Sequence, residues 1–366
     1  MKETHFVIRR RKLLRRLKQD GLDSLLVTDP LNVFYLTGFT GGDSWLFLSA
    51  GRTVLISDPR YELQIAEEAP DVEAVIRKPG ITMVSAVQNL PGLPMKIGIE
   101  ADSMLLSDFL SLSSQGRSEW RPTSQLVESF RQIKDKGEIA AIREAVRIAS
   151  AGFEVLRLTL SPEMTEVEAR NEIEYQMRRI GADETAFPTI AAAGARSAMP
   201  HAVPTRRNHV GDGEVFLVDW GAKKNMYLSD LTRVLITAKR PAALIRKVYA
   251  VVLDAQRAAL DILRPGVTGS EVDRAARRVI ENAGFARAFN HGLGHGIGLF
   301  VHERGSLSRS AETCLKPGMV VTVEPGIYLS GQFGVRIEDD VLITPDGIEI
   351  LSKELRKEFD EMRIGG

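Results

Sequence analysis

Glu214-Val215-Phe216-Leu217-Val218-Asp219-Trp220-Gly221-Ala222-Lys223-Lys224-Asn225-Met226-Tyr227-Leu228-Ser229-Asp230-Leu231-Thr232-Arg233-Val234-Leu235-Ile236 is the stretch on which the fold turns. Val215 to Val218 is an unbroken apolar run ending at Asp219. Tyr227 to Ile236 is a second run, rich in β-formers, and it contains Asp230. Such runs, separated by a short polar break, predict two strands. Lys224-Asn225 lies midway and reads as a two-residue turn. With the turn there, Asp219 and Asp230 face each other across an antiparallel ladder. Opposed carboxylates repel unless a cation lies between them. Taken alone, two solvated or capping aspartates beside a turn account for the pattern equally well.

Other segments add to this pair. The chain has six histidines, and His291, His295 and His302 fall in one glycine-rich stretch. Gly292, Gly294, Gly296 and Gly298 argue against a helix there. In an extended segment, positions four apart share a face. Val320-Val321-Thr322-Val323 leads to Glu324, a carboxylate at the end of a strand that needs a partner if buried. In Val335-Arg336-Ile337-Glu338-Asp339-Asp340-Val341, strand alternation puts Arg336, Glu338 and Asp340 on one face. Its alternative is a salt-bridged edge strand. His201 stands in a turn, and by itself reads as a surface histidine, as do His5 and His209. Together these segments offer four carboxylates and one or more imidazoles. Oxygen-rich donor sets with few nitrogens suit Mn²⁺ and similar divalent ions, and the lack of sulfur disfavours a structural zinc site.

Working outward, the chain reads as two domains, as 366 residues suggest. Residues 1–132 alternate short apolar runs with helical patterns. Strands are expected at Leu22–Thr28, Trp45–Leu48, Thr53–Ile56, Val72–Ile76 and Lys96–Ile99. Helices are expected at Tyr61–Ala69, Leu105–Leu112 and Gln125–Ile133. This is an α/β domain on a mixed sheet. A basic first helix precedes it, with Leu13, Leu14 and Leu17 inward and Arg9 to Arg11, Lys12, Arg15, Arg16 and Lys18 on a solvated face. After the charged break Lys134-Asp135-Lys136-Gly137, residues 133–366 open with a helix whose Ile139, Ile142, Val146, Ala149, Phe153 and Leu156 share a face. A weak echo follows. Leu160-Ser161-Pro162 leads to Thr165, and Leu263-Arg264-Pro265 leads to Thr268. Each Thr precedes a helical stretch that runs to a glycine, Gly181 or Gly284. The echo reads as helix-capping grammar or as a duplicated α/β half.

Formal net charge is zero, so no global field draws nucleic acid or an anionic membrane. No apolar run approaches the roughly 20 residues that span a bilayer. No apolar signal core follows the basic N-terminal cluster, and the one cysteine, Cys314, cannot form an intrachain disulfide. A cytoplasmic setting is expected from these features.

Asp219 and Asp230, His295 in Gly294-His295-Gly296, Glu324 before Pro325-Gly326, and Glu338 after Arg336-Ile337 together resemble the pita-bread metallopeptidases. The match is to the proline-specific branch (M24B), aminopeptidase P and prolidase. Asn32 to Gly41 and Asp58-Pro59-Arg60-Tyr61 resemble the same branch, so the likeness spans nearly the whole chain. It implies an α+β protein, an N-terminal α/β domain followed by a pita-bread catalytic domain. It implies two divalent ions, Mn²⁺ ahead of Co²⁺ or Zn²⁺, held by Asp219, Asp230, His295, Glu324 and Glu338. Glu324 is then also the general base, and His302 steadies the tetrahedral intermediate. His201 and His291 line the proline-side pocket, Arg336 supports the site, and Thr232 and Tyr328 hold carboxylates in place. The implied activity is Xaa-Pro aminopeptidase, with Xaa-Pro dipeptidase as the alternative. A non-catalytic interaction protein on the same scaffold is a distant third. Partners would be proline-containing peptides and, as in many relatives, a second copy of the chain. Trp220 and the pair Lys223-Lys224 depart from the family pattern without touching a ligand.

Overall fold

The computed structural model describes residues 4–114 and 118–364. Contacts divide the chain into Met1–Arg131 and Gln132–Gly366, against an expected boundary after residue 132. The front unit is a six-stranded mixed sheet in the order Glu73–Ile76, Arg52–Ser57, Trp45–Ser49, Ser24–Val27, Lys96–Glu100, Glu119–Thr123. The hairpin strands Trp45–Ser49 and Arg52–Ser57 pair antiparallel. The outer strands pair parallel and are reached through crossover helices Glu62–Glu68 and Leu106–Ser113, because parallel neighbours cannot be joined by a tight turn.

The sequence reading missed three elements here and overextended a fourth. Pro30–Thr37 is a helix, with Asp29 accepting the Leu31 N–H, Pro30 in the first turn and Gly38 at φ 85° closing it. Met83–Gln88 is a helix and Glu119–Thr123 a strand, while the expected helix over Gln125–Ile133 shrinks to Glu128–Arg131. The basic face of helix His5–Gln19 also needs correction. Arg9 and Arg10 are each only 7% exposed. Arg9 Nη1 donates to Tyr35 O at 3.0 Å and Arg10 Nη1 to Leu36 O at 2.9 Å, and Arg10 also pairs with Asp71. Those carbonyls end helix Pro30–Thr37, where backbone acceptors lack partners and a cation suits the negative end.

The second unit is built twice from one plan. Helix Lys136–Thr159 packs on Glu166–Ile180, and Ala243–Ile262 packs on Gly269–Asn282. The second helix of each pair opens with the same capping box, Thr165 with Glu168 and Thr268 with Glu271. Each capping threonine forms an isolated antiparallel bridge farther along the chain, Thr165 to His209 and Thr268 to Cys314. Shared bridges at equivalent places favour duplication over coincidence. The first half supplies an antiparallel sheet of Ile190–Ala193, Val215–Trp220 and Leu231–Ile236. The second supplies Glu303–Leu307, Gly294–Gly296, Val320–Val323, Asp339–Thr344 and Gly347–Ile350. A Thr232–Glu338 bridge joins the two sheets. Trp220 is fully buried between sheet and helix. It stacks on Phe153 at 4.5 Å, and its Nε1 donates to Ala149 O. Lys223 and Lys224 pair with Glu184 and Asp183.

Two local readings are corrected. The hairpin turn is Asn225-Met226, one residue later than expected, with φ of 49° and 72° and Lys224 paired to Tyr227. Asp219 therefore lies opposite Thr232, and Asp230, two residues back on that strand, is its diagonal neighbour on the same face. The segment Val335–Val341 is not one strand. Phe333–Arg336 pairs with Gly326–Leu329, and Asp339–Thr344 pairs with Val320–Val323 on one side and Gly347–Ile350 on the other. Glu338 sits at the crossing, and the second strand is interior, not an edge. Among the described residues no helix is long and apolar enough to cross a membrane.

Candidate metal centre and active site

Each half delivers carboxylates to the seam between the sheets. Asp219 comes from the end of Val215–Trp220, Asp230 from just before Leu231–Ile236, Glu324 from just after Val320–Val323, and Glu338 from the crossing. His295 is the middle of the three-residue strand Gly294–Gly296. Its flanking glycines have a packing reason. A Cβ on Gly294 would stand 2.0 Å from Thr322 O, and one on Gly296 1.9 Å from Arg304 O, so only glycine lets the neighbouring strands close on the histidine.

His295 Nδ1–H donates to Gly296 O at 3.1 Å. This turns the Nε2 lone pair inward, 3.7 Å from Asp230 Oδ2 and 3.4 Å from Glu324 Oε1. Burial lowers the His295 pKa to about 4, so the ring is neutral and free to donate a lone pair. Ligand atoms of Asp230, His295 and Glu338 all lie within 4.8 Å of one another. The carboxyl groups of Asp230 and Glu338 are pushed well up, first by burial and then by neighbouring carboxylates. Glu324 is pushed up to about 8, by burial first and then by Asp219. Asp219 Oδ1 is buried with no hydrogen-bond partner. Clustered buried carboxylates, an orphaned oxygen and an inward imidazole lone pair are what a divalent cation would satisfy. The donor set fits such ions without sulfur.

Around these groups the polar contacts form one chain. Arg336 donates through Nη2 to Asp219 Oδ2 at 2.5 Å, through Nε to Thr232 Oγ1 at 3.0 Å, and through Nη1 to the Tyr328 hydroxyl at 2.9 Å. Thr232 Oγ1 then donates to Glu338 Oε2 at 2.6 Å. The Tyr328 hydroxyl donates to His291 Nε2 at 3.0 Å, and His291 Nδ1 to Gly292 O at 2.7 Å. Both His291 nitrogens are thus engaged, and burial lowers its pKa to about 4. The His302 ring stands 4.4 Å from His295 and is exposed. A cavity of about 1100 Å³ gathers Asp219, Asp230, His291, His295, His302, Glu324, Arg336 and Glu338, with His201 at an exposed position on its wall. The nine residues for which the resemblance implied a metal, catalytic, pocket or supporting-arginine role therefore line one cavity.

Sequence reasoning missed the backbone supports. Asp340 Oδ2 accepts the Asp230 N–H at 2.9 Å, and Thr322 Oγ1 takes the His295 N–H at 3.1 Å. Gln256 Nε2 donates to Val323 O and Ile337 O, each at 3.2 Å, so one amide ties the residues preceding both glutamates. Arg233, fully buried, donates to Glu338 O at 2.6 Å and to Asp339 Oδ1 at 2.7 Å. Both Gln256 and Arg233 are polar interruptions in apolar patterns, a signal that was there to find.

Residues 140–345 match the model of metallopeptidase family M24. The chain belongs to that family. Residues 9–133 match the creatinase/prolidase N-terminal domain. An Xaa-Pro dipeptidase of Pyrococcus furiosus is 34% identical over 94% of this chain and 98% of its own length. The solved Xaa-Pro dipeptidase from Bacillus anthracis superposes with a TM-score of 0.93, at 35% identity, over 98% of this chain and all of that one (100%). The X-Pro aminopeptidase from Thermotoga maritima gives 0.85 at 36% identity, over 94% and 99%. The protein is a metallopeptidase with the creatinase/prolidase front domain and the pita-bread catalytic fold of this family.

Proposed function

We propose that this metallopeptidase hydrolyses the amide between a first residue and a following proline, releasing that first residue from short peptides. The convergence of five carboxylate and imidazole donors on one cavity carries the reading, and relatives named for Xaa-Pro cleavage support it. Asp219, Asp230, His295, Glu324 and Glu338 would hold two divalent ions, Mn²⁺ ahead of Co²⁺ or Zn²⁺. Bound there, the ions supply Lewis acidity toward the scissile carbonyl and toward water. Glu324 takes the proton from the attacking water. His302 donates a hydrogen bond to the carbonyl oxygen as negative charge develops on it. Arg336 and Thr232 hold Asp219 and Glu338 in orientation. Tyr328 keeps His291 in one tautomer, so that its ring offers the proline a neutral wall. We place the protein in the cytoplasm, consistent with its balanced charge and single cysteine.

The aminopeptidase form is favoured over a strict dipeptidase by the cations on the cavity wall. A dipeptidase must grip the proline carboxylate beside the reacting centre. Arg336, the arginine there, is already committed to three partners. The dipeptidase reading keeps its own support in the names of the Pyrococcus furiosus and Bacillus anthracis relatives. Product analysis of Gly-Pro beside Gly-Pro-Ala, with and without Mn²⁺, separates the two. The expected result is free glycine from the tripeptide at a rate at least equal to that from the dipeptide. Cleavage of dipeptides alone replaces the reading with prolidase, and no cleavage with any metal rejects both.

A further inference from the structure

The cavity lining extends beyond the metal-binding residues to helix Glu166–Ile180, which supplies no ligand. Arg170 and Glu174 line it there, near Phe187, Pro188 and Ile190. Arg170 is half-buried. Its Nε and Nη2 both meet the side-chain oxygen of Asn171, at 3.2 and 2.8 Å. That acceptor is neutral, and among the described residues no carboxylate pairs with this guanidinium. Glu174 stands one turn farther along without closing an ion pair, in the order of charges that is the weaker one on a helix. Arg336, the other guanidinium of the lining, is consumed by Asp219, Thr232 and Tyr328. The wall thus presents one fork-shaped donor that no carboxylate pairs with among the described residues, on a helix that supplies no metal-binding residue.

We propose that Arg170 receives the C-terminal carboxylate of the substrate and so selects free-acid peptides of three or more residues. This rests on the Xaa-Pro reading. A guanidinium fork matches a carboxylate with two parallel hydrogen bonds, and a partly desolvated wall strengthens them. In a dipeptide the carboxylate is carried by the proline itself, beside the metal-binding residues. A longer peptide places it farther along the cavity. The space is there, since about 1100 Å³ exceeds the roughly 300–1,000 Å³ of most small-ligand sites.

The test uses the Mn²⁺-loaded enzyme with Gly-Pro-Ala and Gly-Pro-Ala-Ala, each as free acid and as C-terminal amide. For at least one length kcat/KM should be about tenfold higher for the acid, with the difference mainly in KM. Arg170→Met should abolish the gap, Arg170→Lys should keep part of it, and Glu174→Gln should widen it by removing a like charge. Metal content should not move in any variant. Calorimetry with Pro-Ala and its amide, which contain no Xaa-Pro bond, reads the anchor without turnover. Cleavage with no acid preference in the wild-type enzyme, or a preference that survives Arg170→Met, overturns the proposal and leaves the Xaa-Pro reading standing. Absent cleavage with Arg170-dependent binding of the Pro-Ala acid rejects the activity and keeps the anchor. Absence of both rejects both.

Discussion

The hydroxyl of Thr232 accepts from Arg336 Nε and donates to Glu338 Oε2, so one small side chain orients an arginine and a carboxylate together. Thr232→Val keeps the shape and removes both bonds. Leaving buried partners unmet costs about 1–3 kcal/mol, and loss of such an orienting contact weakens metal binding roughly 10–100-fold. Metal titration of the folded variant should show that loss, and unchanged affinity would remove Thr232 from the site. His302 behaves differently, because its ring adjoins His295 without any bond to a carboxylate ligand in the set. His302→Ala should therefore lower kcat by about 10²–10³-fold at unchanged metal content. If metal analysis instead shows depletion, His302 is a ligand. The roles of Thr232 and His302 came from the family resemblance, whereas Glu324 was legible in the residues themselves, as a carboxylate closing a run of β-formers. Asp340 was expected to share a strand face with Glu338, which the break between Arg336 and Asp339 overturns, and its support of Asp230 was not legible. That role depends on Asp230 lying close by in space, 110 residues away along the chain.

Hairpin Val215–Ile236 shows what sets an element's details. Its strands are evident from composition, yet the sequence reading set its turn one residue early and so its register off by two, with Asp219 opposite Asp230 instead of Thr232. Register follows the turn, and the turn is fixed by which residues take positive φ. Here those are Asn225 and Met226. Asn tolerates that region, whereas Met gives no such signal. The slip changed the geometry from facing to diagonal aspartates without separating them, since both stay on one face. Met226 carries a conformational cost that glycine would not. Met226→Gly should stabilise the chain by about 0.5–1 kcal/mol, after some lost burial of the half-exposed side chain. Thermal unfolding would show a small rise in Tm with unchanged activity, and a fall in Tm would contradict the strain argument. The same reasoning explains the missed helix Pro30–Thr37. It is short, with an N-cap aspartate, a first-turn proline and a closing glycine, and end signals outweigh periodicity over eight residues.

At the scale of the whole molecule, division into a front α/β unit and a second unit was signalled in the sequence by the charged break, while the repeated Thr caps left duplication and common capping grammar as open alternatives. What remained hidden was the fate of charge. Arg9 and Arg10 read as solvent-facing because burial of a cation depends on acceptors supplied from elsewhere, here two helix-terminal carbonyls. Buried charge also links stability to pH and metal. Asp230 and Glu338 are raised well above their usual range and Glu324 to about 8, all chiefly by burial. In the metal-free chain the folded state then binds more protons than the unfolded one. Their stabilising contribution is complete below the unfolded value of 4.5 for Glu324 and is lost as pH rises through about 8. Divalent ions require the same groups deprotonated, so metal binding tightens as pH rises. The Tm of chelator-treated protein should accordingly fall from about pH 4.5 to about pH 8, while the gain in Tm on adding Mn²⁺ grows. Glu100, raised by burial to about 7 in the front unit, adds a slope of the same sign that metal does not touch. Glu100→Gln should flatten that slope and leave the Mn²⁺-dependent increment intact. An increment that stays constant across the range would show that the clustered carboxylates, not yet neutralised by metal, do not control the stability of this chain.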